Sequence, residues 1–153
     1  MKCLIVVFSY HHHNTKKVAG AMAGETGAVV KSPAETPAED LSQYDLVGFG
    51  AGIDSGRHYR PMLDFAQSLP PVKDRKCFLF STSAVQGERK VKKDHAALRE
   101  ILQSKGYSVV GEFSCKGYNT NSFLKYFGGM NKDRPNDEDI RNAGEFAKRM
   151  VIA

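Results

Sequence analysis

Directly after Met1-Lys2, the run Cys3-Leu4-Ile5-Val6-Val7-Phe8 is apolar without interruption. It is far too short to span a bilayer and rich in β-branched side chains, the pattern of a strand buried on both faces in the middle of a parallel sheet. It gives way to Ser9-Tyr10-His11-His12-His13-Asn14-Thr15, after which Val18, Ala19, Met22 and Ala23 recur at helical spacing. A polar loop leading from the carboxyl end of a strand to the amino end of a helix is a natural anion site, because the unpaired N–H groups and the positive helix end point into it. Ser9, Asn14 and Thr15 add side-chain donors, so a phosphate group is the expected ligand. An ordinary turn in which Asn14 or Thr15 merely caps the helix explains one of these residues. It does not explain all three together with Lys16 and Lys17.

The same alternation continues along the chain. Residues 28–30, 44–50, 76–81 and 108–115 are further strand candidates, with helical spacing over residues 62–69, 92–105 and 137–150. In the second of these helices Ala96, Leu98, Ile101 and Leu102 face inward and Gly106 takes the left-handed cap; Asn136 caps the third. Residues 32–40, with Pro33 and Pro37, read as a surface connection holding at most one helical turn at 37–40. Residues 50–59 read as an open glycine-rich loop, and 116–135 as a long irregular stretch. Strands alternating with helices imply an α/β fold with a parallel sheet and right-handed crossovers. At 153 residues, the expectation is a single domain spanning 1–153.

Several function classes are disfavoured. No apolar run approaches the ~20 residues of a spanning helix, and the first strand leaves no room for a signal peptide. Three cysteines without a C-x-x-C pair speak against a disulfide scaffold and for a reducing, cytoplasmic setting. The formal charge is +5, densest at Arg89-Lys90-Val91-Lys92-Lys93. No aromatic side chain interleaves that run, so it reads as a solvated helix start rather than a nucleic-acid surface. Three adjacent histidines with no carboxylate or cysteine beside them do not make a metal shell, so no metal is expected. Cys115 ends a strand with only Lys116 near it and receives no catalytic role.

Ser9 through Asn14-Thr15-Lys16-Lys17-Val18-Ala19, placed after an apolar first strand, resembles the phosphate loop of the flavodoxin family, as does the strand ending Asp45-Leu46-Val47-Gly48-Phe49-Gly50. The departures are His13 where Gly is usual, the consecutive histidines, a loop one residue longer, and a basic charge in a typically acidic family. The resemblance implies a flavodoxin-like three-layer sandwich: a five-stranded parallel sheet of order 2-1-3-4-5 with helices on both faces. It also implies non-covalent FMN at the carboxyl ends of the strands and a role in electron transfer.

The cofactor-binding residues expected on this basis come from three loops. Ser9, His11, His12, His13, Asn14 and Thr15 would surround the phosphate. Ala51, Gly52, Ile53, His58 and Tyr59 would line the flavin face, with His58 or Tyr59 stacking on the ring or Tyr59 packing into the core instead. Thr82, Ser83 and Ala84 would reach the pyrimidine end, unless they form only a generic connection. Tyr118, with Asn119 and Thr120, could edge the same pocket or serve only to pack the long loop. The alternative function is an FMN-dependent NAD(P)H:quinone-type oxidoreductase. The expected partners are redox proteins, acidic ones given the charge, met by a monomer or homodimer.

Overall fold

The first apolar run forms strand β1 (Cys3–Phe8), and its side chains divide between two cores. The computed structural model describes residues 1–9, 13–84, 86–117 and 133–153. After β1 come helix α1 (Asn14–Thr26), strand β2 (Val29–Lys31), two short 3₁₀ turns (Pro33–Glu35 and Ala38–Gln43), strand β3 (Leu46–Asp54) and strand β4 (Arg57–His58). Helix α2 (Arg60–Ser68), strand β5 (Arg75–Ser83), helices α3 (Glu88–Asp94) and α4 (Ala96–Ser104), strand β6 (Tyr107–Lys116) and helix α5 (Asp137–Ile152) complete the order.

The strands β2-β1-β3-β5-β6 lie side by side, every pair parallel. This is the expected 2-1-3-4-5 arrangement, with β4 as an added antiparallel ribbon on the end of β3. Leu4 and Val6 pack with Met62 and Phe65 of α2 and Leu98 and Leu102 of α4. Ile5 and Val7 pack with Val18 and Met22 of α1 and Phe146 and Ala147 of α5. Because successive strand residues face opposite sides, a strand covered by helices on both faces must be apolar at every position. Gly48 and Gly50 serve the second core by omission. A Cβ on either would lie 2.4 Å or 2.2 Å from the rings of Phe78 and Phe80 on the next strand.

Three expectations are corrected. Residues 50–59 are not an open loop: β3 continues to Asp54 and folds back on β4 through Ser55 and Gly56, both at positive φ (54° and 77°), as a tight hairpin requires. The helix expected over 92–105 is two helices meeting at His95, whose buried ring is held from two sides by hydrogen bonds that set its position. The connection at 32–40 holds two 3₁₀ turns rather than one, the first closed by a capping box between Ser32 and Glu35. The cap on α5 is as expected: Asn136 accepts from the Asp139 N–H, and Asp139 accepts from that of Asn136, both at 2.9 Å. Among the described residues no helix is long and apolar enough to cross a membrane.

Candidate functional site

The register of the sheet gathers the loop ends. Phe8 lies beside Ala51, Gly52 beside Thr82, and Ser83 beside Lys116, so the ends of β1, β3, β5 and β6 form one rim. Ligands of open parallel sheets sit beyond this edge, where the chain direction of the crossovers reverses. His11 and His12 lie outside the described residues, as do Tyr118, Asn119 and Thr120.

At the first loop, His13 stands at the N-cap of α1 in the left-handed conformation (φ 51°, ψ 35°), a geometry a glycine adopts without steric strain. Asn14 and Thr15 are buried and precede the first intrahelical bond, from the Lys17 N–H to the His13 carbonyl. The Lys16 N–H donates to Ser9 Oγ at 3.3 Å, tying the end of β1 to the first turn of α1. Thr15 Oγ1 lies 2.8 Å from Thr82 Oγ1, so the first and third loops are joined by a buried hydrogen bond. Ser9 accepts and keeps its own hydroxyl hydrogen; of Thr15 and Thr82, one donates and the other keeps its hydrogen for a further acceptor. A cleft of about 420 Å³ opens here, between Ser9, His13 and Lys16 on one side and Lys31, Ser32 and Glu35 on the other. The Ser32 N–H, and after it the charges of Lys16 and Lys31, hold the Glu35 carboxyl below the usual range.

At the second segment the expectations divide. Tyr59 is half-buried, its ring edge-on to Phe8 (6.1 Å, 85°), and it crowds Gly52 so closely that a Cβ there would sit 2.8 Å from it. It therefore packs on the core margin while lying at the rim. Ile53 is half-buried. Ala51 is corrected: it is wholly enclosed in the α2–α4 core and offers no surface to a ligand. His58 is corrected too. Its ring turns inward, 1% exposed, with Nε2 3.0 Å from the Phe80 carbonyl, so it cannot stack on a ligand at the rim. Burial, and then the neighbouring His95, push His58 down to about 3.

At the third segment Thr82 and Ser83 are buried at the rim and Ala84 half-buried beside them. Ser83 accepts from Gln86 Nε2 at 2.7 Å, and its carbonyl accepts from the Gly117 N–H at 3.1 Å. Gly117 has no room for a side chain, since a Cβ would meet the Asn14 amide at 2.7 Å. The end of β6 thus seats both the first and the third loops.

Beneath this rim lies a polar cluster that sequence reading missed. His95 is completely buried, with Nε2 2.7 Å from Ser81 Oγ and Nδ1 2.8 Å from Glu112 Oε1. Arg99 grips the same carboxylate with Nε and Nη2 at 2.8 and 2.7 Å. Burial alone would raise Glu112, but the hydrogen bonds from His95 and Arg99 outweigh it and hold the carboxyl at about 2. The available signal was Glu112 itself, a carboxylate inside the otherwise apolar run 109–113. The three cysteines are buried and free, and burial pushes the Cys115 thiol up to about 12.

Comparison with known proteins places this architecture. The sequence matches the flavodoxin domain family over residues 5–149. It is 40% identical to an uncharacterised protein of Methanocaldococcus jannaschii, over 99% of both chains. Among solved structures it resembles oxidised flavodoxin 2 of Bacillus cereus (TM-score 0.75, 17% identity, 99% of each chain). It also resembles a Fusobacterium nucleatum flavodoxin bound to flavin mononucleotide (TM-score 0.68, 9% identity, 99% of this chain and 98% of that one). With a family match over nearly its whole length and the sheet order read independently from its strands, the chain belongs to the flavodoxin family.

Proposed function

We propose that this protein binds FMN non-covalently at the rim formed by β1, β3 and β5 and serves as a cytoplasmic electron carrier. The observation that carries the reading is the joined pair of loops. Thr15 bonds Thr82 at the rim, and Ser9 closes on the first turn of α1 with its hydroxyl hydrogen left for an anion in the cleft lined by Lys16 and Lys31. These groups fit a phosphate monoester. Ser9, Asn14 and Thr15 would hold it, Thr82, Ser83 and Ala84 would meet the polar edge of the ring system, and Tyr59 would lie beside it. The bound flavin supplies the one- and two-electron chemistry; the protein supplies position, burial and charge. The Fusobacterium relative with flavin mononucleotide supports the choice of nucleotide.

An absorption spectrum of the purified protein, followed by FMN titration, tests this. Saturable one-to-one binding with quenching of flavin fluorescence is expected, and a protein that leaves added FMN unchanged would overturn it. Thr15→Val removes one hydroxyl at nearly unchanged volume and strands Thr82 in the interior. It is expected to weaken FMN binding by roughly tenfold, as losing a buried hydrogen bond does.

A second reading, an NAD(P)H:quinone-type oxidoreductase, is favoured by one feature. A cleft of about 230 Å³ beside the β3–β4 hairpin carries Arg57, Tyr59 and Arg60, where an anionic donor could dock. Steady-state NAD(P)H oxidation by the FMN-loaded protein separates the two.

A further inference from the structure

The cleft beside the first loop is larger than a phosphate needs. Strand β2 stops at Lys31, opposite Val6, while β1 runs on through Val7 and Phe8. That step is the floor of the cleft, with Val30 at its edge. Ser9, His13 and Lys16 stand on the near wall, and Lys31, Ser32 and Glu35 on the far wall. The volume of about 420 Å³ falls among whole small-molecule pockets, roughly 300–1,000 Å³, whereas a phosphate is a single small group.

The place of the cleft in the sheet matters as much as its size. In the order β2-β1-β3-β5-β6 it lies on the β2 side of β1, and the proposed ring site lies on the β3 and β5 side. A phosphate held by the first loop stands between the two. A mononucleotide ends there, but a dinucleotide continues into the cleft. Neighbouring strands are about 4.8 Å apart, so the far wall is roughly one strand spacing from the loop.

The side chains match what a second nucleotide presents. Lys16 and Lys31 supply positive charge for a second phosphate. Glu35 is fixed by the Ser32 N–H, which donates to Oε1 at 3.0 Å, and its carboxylate has acceptor sites to spare for ribose hydroxyls. Val7, Phe8 and Val30 offer the base an apolar surface. A phosphate alone is repelled by Glu35; a ribose is not. Dinucleotide-binding α/β sheets use an acidic side chain on the ribose hydroxyls in the same way, a short distance along the chain from the phosphate loop.

We infer that this cleft is a second nucleotide subsite, taking the adenylate half of a dinucleotide flavin, so that the chain accepts FAD as well as FMN. The inference rests on the reading that the first loop holds the flavin's phosphate. Lys16 and Lys31 meet the pyrophosphate, Glu35 the ribose hydroxyls and Val30 the adenine, while the isoalloxazine keeps the place proposed for it at the rim.

The test is isothermal titration calorimetry with FMN, FAD and AMP, each followed by backbone amide NMR. FAD is expected to bind about tenfold more tightly than FMN, the worth of one hydrogen bond to a charged group. It should also move the amides of Val30, Ser32 and Glu35 further than FMN does, and AMP should bind alongside FMN and be displaced by FAD. Glu35→Gln keeps an acceptor for the Ser32 N–H, removes a negative charge, and presents amide hydrogens where the ribose needs an acceptor. It should leave FMN affinity unchanged or raised, yet weaken FAD roughly three- to tenfold. Relief of charge repulsion alone would strengthen both ligands, so opposite signs identify the ribose contact. FAD binding no tighter than FMN would overturn the inference and leave the flavin reading standing. Tight FAD binding that Glu35→Gln leaves alone or improves would overturn it too, since the adenylate would then lie elsewhere. A protein that takes neither flavin removes the flavin reading; the subsite then stands if AMP binds and Glu35→Gln weakens it, and falls otherwise.

Discussion

His13 shows what a single backbone angle costs. An L-residue in the left-handed region is disfavoured by roughly 1–2 kcal/mol, and glycine escapes that penalty but loses about 0.5–1 kcal/mol of backbone entropy on folding. His13 is exposed and its side chain makes no cap bond to α1, so packing offers no compensation. His13→Gly is therefore expected to stabilise the fold by about 0.5–1 kcal/mol, read from urea unfolding midpoints. A loss of stability would mean that the imidazole contributes to the folded state after all. His58 makes the opposite case, a side chain whose cost appears only in acid. The folded chain keeps it neutral down to about pH 3, whereas an unfolded histidine takes a proton near 6.5. Between those values the unfolded state binds more protons, so stability falls as the pH drops from about 6.5 toward 3, with a slope approaching 1.4 kcal/mol per pH unit. Glu112, held at about 2, adds its own acid loss only below the ordinary carboxylate range near 4.5. The window from 4.5 to 6.5 thus separates the loss from His58 from that of Glu112. Unfolding measured there should give a flatter slope for His58→Gln than for wild type, and equal slopes would sink the assignment.

Among the elements, β3 and β5 are coupled by an exchange of volume: two glycines on one strand accommodate two phenylalanines on the next. Gly50→Ala drives a methyl into the Phe80 ring and is expected to destabilise by about 1–3 kcal/mol, as overpacking does in a close-packed core. Combining it with Phe80→Leu should recover part of that loss; a purely additive double mutant would show that the clash is relieved elsewhere. This coupling also explains what could be read from sequence. The glycines and phenylalanines were visible as strand residues, and the order of the strands followed from the first loop's resemblance to a known family. Ser9 and Thr82 follow apolar runs and Thr15 opens a helical pattern, so their places at strand–helix junctions were legible in the sequence. The β4 ribbon was not, since two residues, Arg57 and His58, carry no periodicity of their own. The break at His95 was hidden for a different reason. Leu98, Ile101 and Leu102 continue a helical pattern that 92–105 shares throughout. The interruption is imposed from outside by Ser81, 14 residues away, and Glu112, 17 residues away. Bonds at that separation leave no mark on local spacing.

Across the whole molecule, charge sets this chain apart from an acidic flavodoxin. The chain carries 22 lysines and arginines against 17 acidic residues, and exposed cations stand around the loop rim at Lys16, Lys17, Arg57 and Arg89. Adding negative charge to the proposed flavin is opposed by an acidic surface and assisted by a basic one. One unit charge at ~10 Å in water is worth on the order of 0.4 kcal/mol, or about 15 mV for a one-electron couple, and less in salt. The final reduction potential of the bound flavin is therefore expected to be less negative than that of an acidic flavodoxin. Lys16→Glu, Arg57→Glu and Arg89→Glu each change the local charge by two units and should lower it by about 30 mV in dilute buffer, with smaller shifts at 0.5 M salt. The same cations should draw an acidic redox partner, so the second-order rate of electron transfer to such a protein should fall steeply with ionic strength, and more gently in the triple variant. Potentials unmoved by all three substitutions would place the flavin far from this rim. Potentials that shift while the transfer rate keeps its salt dependence would put the partner elsewhere, with Lys92 and Lys93 of α3 as the next cations to reverse.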